Sequence, residues 1–223
     1  MILVPVKKLA NAKQRLAPVL EQSVRTELAR AMLRDVLEAL SSYETSLVTS
    51  DPFALELALE YKFTVIRDEA NLSETDAISM ATQVCESRGI QTTLVIPADI
   101  PLIEAEDVRA IYDSAPVHGS VLVPSRDKRG SNAVLRRPAA LFPLRFGNDS
   151  FMPHLTAAIT TNASCVVLSL PRIGLDIDTA DDLEQLALSP GEKGSQLLAR
   201  KLGFSVPSLR VPHFDGDLAA AKS

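Results

Sequence analysis

Thr92-Thr93-Leu94-Val95-Ile96-Pro97-Ala98-Asp99-Ile100-Pro101-Leu102 is an aliphatic, β-branched run that ends in a turn carrying one carboxylate. The run predicts a buried strand. Pro97 and Pro101 flank Asp99, which keeps the backbone around it stiff and mostly extended. Open α/β sheets bind ligands at the carboxyl ends of their strands, so an aspartate held there is a candidate for chemistry. Asp is also an ordinary turn former, and this stretch alone leaves both roles open.

Upstream, Ile2 to Val6 reads as a first strand, followed by a polar, basic loop over 7–20. Val24, Leu28, Met32, Val36 and Leu40 recur every four residues and predict an amphipathic helix with Ser23 as its N-cap. Asp51-Pro52 predicts a capped helix start, and Gly89 a helix end. Strands are expected near 47–49, 63–67 and 121–124. Helices are expected near 52–61, 75–88 and 104–112. The alternation predicts one α/β domain with a mixed, mainly parallel sheet flanked by helices. Beyond Pro124, strands are expected at 132–136, 165–170 and 175–178, and helices at 151–160, 179–188 and 193–202. Residues 1–204 form the predicted domain; 205–223, poor in periodic apolar positions, are the expected loosely held tail.

The chain has 223 residues, 46% of them hydrophobic, and a net charge of -5. That balance argues against a general nucleic-acid binder. No apolar run reaches membrane-spanning length, and no leader is visible, so a cytoplasmic protein is expected. Cys85 and Cys165 lie in apolar segments without metal or redox spacing and read as core thiols.

Leu175-Asp176-Ile177-Asp178 is a second carboxylate site. In extended backbone Asp176 and Asp178 share a face, and two like charges that close call for a cation between them. Carboxylate ligands alone suit a hard cation such as Mg²⁺; a helix-start and strand-end role is the plain alternative. Lys7, Lys13 and Arg15 follow the first strand, where charge-assisted bonds to phosphate are made in such sheets. Lys8 and Arg25 read as solvent-facing. Gly130-Ser131-Asn132 and Gly147-Asn148-Asp149-Ser150 bring hydroxyls and backbone N–H groups suited to a carboxylate or phosphate. Ser150 reads equally as a helix N-cap, and His154, one turn on, as structural or supporting. No Ser–His–acid or Cys–His arrangement is evident. A phosphate monoester is itself an anionic nucleophile near neutral pH, so transfer to a phosphate needs no enzyme nucleophile.

Val4-Pro5-Val6-Lys7, Ala12-Lys13-Gln14-Arg15-Leu16, Ile96 to Leu102, Arg129-Gly130-Ser131-Asn132-Ala133, Phe146 to Phe151 with His154, and Leu175 to Thr179 with Asp182-Leu183 occur in that order. Together they resemble the guanylyltransferases of coenzyme F420 biosynthesis, which act on 2-phospho-L-lactate or phosphoenolpyruvate. The resemblance implies a nucleotidyltransferase fold of the glycosyltransferase-A type. It implies transfer of GMP from GTP to a small phosphorylated carboxylic acid with release of pyrophosphate. By resemblance Asp99, Asp176 and Asp178 would hold Mg²⁺, and Lys13 and Arg15 would face the triphosphate, beside Lys7, the loop's further nucleotide-binding candidate. Ser131, Gly147 and Ser150 would hold the acceptor. Phosphoenolpyruvate is the expected acceptor, with 2-phospho-L-lactate and 3-phosphoglycerate as close rivals. A nucleotidyltransferase for molybdopterin or a sugar, and a non-catalytic nucleotide-binding module, are the other readings. The chain departs from the family in carrying Ser131 for the usual Thr, and Asp68 to Ala77 in place of a Gly-rich loop containing Leu-Asn. The sequence leaves oligomeric state open.

Overall fold

A computed structural model describes residues 1–204 except 71 and 148. The expected tail, and Asn71 and Asn148 of two quoted motifs, lie outside the described residues. The strands are β1 (Ile2–Val6), β2 (Thr45–Thr49), β3 (Thr64–Ile66), β4 (Thr93–Val95), β5 (Gly119–Pro124), β6 (Ser131–Arg137) and β7 (Ser164–Val167). They form one sheet in the order β3-β2-β1-β4-β6-β5-β7. Only β6 runs against its neighbours, β4 and β5; the other pairs are parallel. The mixed, mainly parallel sheet is therefore as expected.

The helices are α1 (Gln22–Ala39), α2 (Pro52–Glu60), α3 (Glu74–Ser87), α4 (Ala105–Asp113), α5 (Phe151–Thr160), α6 (Pro171–Gly174), α7 (Ala180–Leu188) and α8 (Gly194–Lys201). Strand side chains alternate between two cores, which is why the strands read as continuous apolar runs. Ile2, Val4, Val6, Leu94, Val121 and Leu135 meet α1, α2 and α4 on one face. Leu3, Val95, Leu122 and Val134 meet α3 and α5 on the other. A third cluster packs Leu28 and Met32 of α1 against Leu183 and Leu186 of α7 and Ala199 of α8.

Side-chain carboxylates fix helix starts, α2 and α8 among them. Asp51 Oδ1 accepts from Phe53 N and Ala54 N at the head of α2, as expected. Asp35, within α1, accepts from Gly194 N and Ser195 N and so caps α8 from another helix. Two local expectations fail. Helix α1 starts at Gln22 after Glu21, not at Ser23. Arg25 is buried, because its guanidinium donates back to the Leu20 carbonyl at 2.7 Å and to Gln22 Oε1. Lys8 is exposed as expected. Cys85 and Cys165 are free thiols. Among the described residues no helix is long and apolar enough to cross a membrane.

Candidate active site

The basic loop after β1 is pinned at its apolar residues. Leu9 and Leu16 are buried, and Leu9 N donates to Asp51 Oδ2 at 2.9 Å, so the α2 cap also holds this loop. Two short 3-10 turns, Leu9–Asn11 and Gln14–Leu16, flank Lys13. The loop has no glycine, and Lys13 takes the left-handed conformation itself (φ 55°), which a side chain rarely adopts and which tight packing must enforce.

That geometry drives Lys13 into the protein. Its Nζ donates to Asp99 Oδ2 at 2.8 Å and to Asp178 Oδ1 at 3.0 Å. Burial works against the ammonium, but the charges of Asp99 and Asp178 outweigh it and push the pKa up to about 12. Arg15 Nη1 donates to the other Asp178 oxygen at 3.1 Å. Lys7 pairs with Asp68 at 2.8 Å.

The second carboxylate segment is extended but pairs as no strand, contrary to expectation. Its Ile177 N donates to the Asp99 carbonyl at 3.1 Å, a backbone tie between the two acidic segments. The alternation still holds. Leu175 and Ile177 enter the third core cluster, while Asp176 and Asp178 line a cavity with Asp99. Thr179 and Asp182 form a capping box at α7 that fixes the segment's far end. Asn132 Nδ2 bridges the Ile173 carbonyl (2.9 Å) and Asp176 Oδ1 (3.0 Å). Burial raises the Asp176 pKa, with the Asn132 bond opposing and the charges of Asp99 and Asp178 adding. For Asp178, burial is outweighed by Lys13 and Arg15, and its pKa is lowered.

The cavity shared by the three aspartates has a volume of about 260 Å³ and reaches Ser131, Gly147 and Ser150. Because β6 runs antiparallel, its first residue, Ser131, lies at the same sheet edge as the carboxyl ends of β4 and β5. Ser131 N donates to Ser150 Oγ at 3.0 Å. Ser150 stands at the N-cap position of α5, as expected, but its hydroxyl makes no cap bond to the helix. Gly147 has φ +123°, a conformation that disfavours any side chain. Thr75 Oγ1 donates to the Phe146 carbonyl and accepts from Phe146 N, clamping this loop to the start of α3. Buried His154 packs edge-on against Phe146 and is hydrogen-bonded to Ser131. Burial and the charge of Arg136 lower its pKa to about 4.

A second cavity, of about 460 Å³, is lined by Lys7, Lys13 and Leu72 and shares Pro97, Asp99 and Glu74 with the first. Glu74, at the head of α3, was not singled out in the sequence. Burial pushes its pKa up to about 7, with Asp99 adding to the rise and Lys7 and Lys13 opposing it. In the turn between β5 and β6, Arg126 pairs with Asp182 and Arg129 with Asp149.

Among the described residues no three His, Cys, Asp or Glu side chains are grouped as a ready metal cage; Lys13 stands between two of the three expected ligands. The donor set itself, three carboxylates with no nitrogen or sulfur, is of the kind that suits Mg²⁺.

The chain matches the family model described as guanylyl transferase CofC like over residues 1–217. It is 36% identical over 202 residues to a phosphoenolpyruvate guanylyltransferase of Roseiflexus castenholzii, covering 89% of this chain and 93% of the relative. A 2-phospho-L-lactate guanylyltransferase of Methanothermobacter thermautotrophicus is 31% identical, covering 93% of each. A 3-phospho-D-glycerate guanylyltransferase of Colwellia psychrerythraea is 33% identical, covering 84% of this chain and 90% of the relative. Among solved structures, a protein from Desulfovibrio desulfuricans G20 superposes with a TM-score of 0.73 at 19% identity, covering 90% of this chain and 93% of its own. A nucleotidyl transferase from Methanothermobacter thermautotrophicus superposes with 0.56 at 15% identity, covering 83% and 94%. At these identities the likeness is one of fold, and the fold is that of nucleotidyltransferases.

Proposed function

The chain belongs to the CofC-like guanylyl transferase family, and on that premise we propose that it transfers GMP from GTP to the phosphate of a small phosphorylated carboxylic acid. Phosphoenolpyruvate is the preferred acceptor, in line with the Roseiflexus relative. The observation that carries this reading is the shared wall of the two cavities. Asp99 and Glu74 face both, one cavity holding Lys7 and Lys13 and the other Ser131, Gly147 and Ser150. A triphosphate on the lysine side and an acid on the hydroxyl side would meet at the carboxylates.

An oxygen of the acceptor's phosphate forms a bond to the α-phosphorus of GTP, and the bond from that phosphorus to the bridging oxygen of the β-phosphate breaks. Pyrophosphate leaves with the bond's electron pair. The acceptor phosphate is already anionic near neutral pH, so no residue has to remove a proton from it. Lys7, Lys13 and Arg15 bind and orient the triphosphate through charge-assisted hydrogen bonds. To do so, Lys13 and Arg15 share their protons between phosphate oxygens and Asp178. The Ser131 and Ser150 hydroxyls and the backbone at Gly147 hold the acceptor's carboxylate. Asp99, Asp176 and Asp178 would hold Mg²⁺, which when bound would offset the charge of the phosphates. The catalytic contribution of this chain is thus positioning and charge, through Lys13 and the three aspartates.

The test is a pyrophosphate-release panel: ATP, CTP, GTP and UTP, each against phosphoenolpyruvate, 2-phospho-L-lactate and 3-phospho-D-glycerate, with and without Mg²⁺. Release is expected with GTP and one of the acids, and only with Mg²⁺. No release with any acid would overturn the reading.

A further inference from the structure

We propose that His154 is a positioning residue that turns the Ser131 hydroxyl into a committed hydrogen-bond donor toward the acceptor cavity. The inference rests on the acceptor site proposed above and assigns a task to a buried group which that mechanism leaves unused.

The argument follows from where protons can sit. His154 Nε2 is 2.9 Å from the backbone nitrogen of Arg145. A backbone N–H only donates, so Nε2 must accept and carries no hydrogen. The neutral ring then bears its one hydrogen on Nδ1. Nδ1 lies 2.9 Å from Ser131 Oγ, so it donates and the hydroxyl oxygen accepts. The hydroxyl's own hydrogen cannot return to the ring and is left to point elsewhere. Ser131 is only 6% exposed and lines the cavity that also holds Asp176 and Asp178.

Ser150 repeats the pattern. Its oxygen accepts from Ser131 N at 3.0 Å, which leaves its hydrogen for another partner. Two buried hydroxyls, each already accepting from a fixed protein donor, present hydrogens to one small space. The complement is a group made of acceptors only, as an ionised carboxylate is, whereas a hydroxyl or amide would bring hydrogens of its own. Burial and the nearby Arg136 charge keep the ring neutral, which preserves the arrangement. A protonated ring would face the Arg145 N–H with a second donor.

Two measurements on the full chain test this. The first is nitrogen-15 NMR of the imidazole in the free protein, with the His154→Asn spectrum giving the assignment. A neutral ring protonated on Nδ1 is expected, and one protonated on Nε2 overturns the inference. The second is kinetic. His154→Phe should raise the acceptor KM about tenfold, the worth of one hydrogen bond, and leave the GTP KM unchanged. His154→Asn, whose amide nitrogen can donate from the position of Nδ1, should recover most of that loss. In a Ser131→Ala background His154→Phe should add nothing further. Additive losses, or equal effects on both substrates, would overturn the role. If the wild-type protein turns over none of the acids, the functional reading fails by itself, and the ring's tautomer still decides this inference.

Discussion

Lys13 Nζ lies within 3.0 Å of both Asp99 Oδ2 and Asp178 Oδ1, partners separated from it by 86 and 165 positions in the chain. One ammonium therefore joins the carboxylate after β4 to the carboxylate before α7. Its left-handed backbone is held in place by the Leu9 and Leu16 anchors on either side.

Removing that charge leaves three carboxylates facing one cavity. Lys13→Ala is expected to cost on the order of 1–3 kcal/mol of stability. It should also weaken use of GTP. Because the remaining carboxylates would attract a divalent cation, MgCl₂ should raise the melting temperature of the variant more than that of the wild type. Melting curves with and without MgCl₂ check this; equal shifts would count against a carboxylate cation site.

Asp176 and Asp178, two residues apart, should respond oppositely to neutralisation. The raised pKa of Asp176 means that its carboxyl favours the fold below its ordinary value of 3.8, an advantage lost as pH rises through the raised value. Asp176→Asn should therefore raise the melting temperature at pH 7. The pKa of Asp178 is lowered, so its contribution is present above 3.8 and lost as pH falls through the lowered value. Asp178→Asn should lower the melting temperature at pH 7, by less as the pH drops toward 3. Both substitutions should reduce kcat on the order of a hundredfold or more. Shifts of the same sign at pH 7 would contradict the electrostatic account.

Ser150→Ala separates binding from capping. The hydroxyl makes no cap bond to α5, so the usual N-cap penalty of about 1 kcal/mol should not appear; the Ser131 N–H bond is what is lost. The acceptor KM should rise several times more than the GTP KM. Paired kinetics and a melting curve test both halves, and equal KM changes would argue against an acceptor subsite here.

The pKa of His154, about 4 against an ordinary 6.5, gives a third stability signature. The unfolded chain takes up a proton below pH 6.5 that the folded ring refuses until about pH 4. The resulting stability is complete above 6.5 and is lost as the pH falls to 4, on the order of 3 kcal/mol in all. Urea unfolding of wild type and His154→Asn between pH 7 and 4 should show the wild type losing more by about that amount. Parallel losses would contradict it.

Much of this was legible in the sequence because it is written in local periodicity. The five-residue apolar run at β1, the four-residue spacing in α1, and the alternation from Leu175 to Asp178 each survive in the fold. Asp99, Asp176 and Asp178, brought together in the sequence only by resemblance, line one cavity without grouping as a ready cage among the described residues. What was not legible depends on distant partners. Arg25 reads as a surface residue until its guanidinium is seen folded onto the Leu20 carbonyl. Ser150 does sit at the cap of α5, but that its oxygen serves Ser131 N rather than the helix could not be read locally. Glu74 has no motif and becomes notable only where α3 points at Asp99. Leu175 to Asp178 reads as a strand, yet it joins no ladder and meets the Asp99 segment through the bond from Ile177 N to the Asp99 carbonyl.

The cap that Asp35 provides to α8 spans up to 160 positions, and this gives the molecule a timetable. A ribosome finishes β1 to β4, with Lys13 and Asp99, long before the segment bearing Asp176 and Asp178 emerges. That segment leads into α7, which packs with α8 on α1. The carboxylate on α1 thus has no helix start to cap until α8 has been made. Until the segment before α7 emerges, the nascent chain holds Lys13 and Asp99 without Asp178, so the ammonium has only one of its two partners.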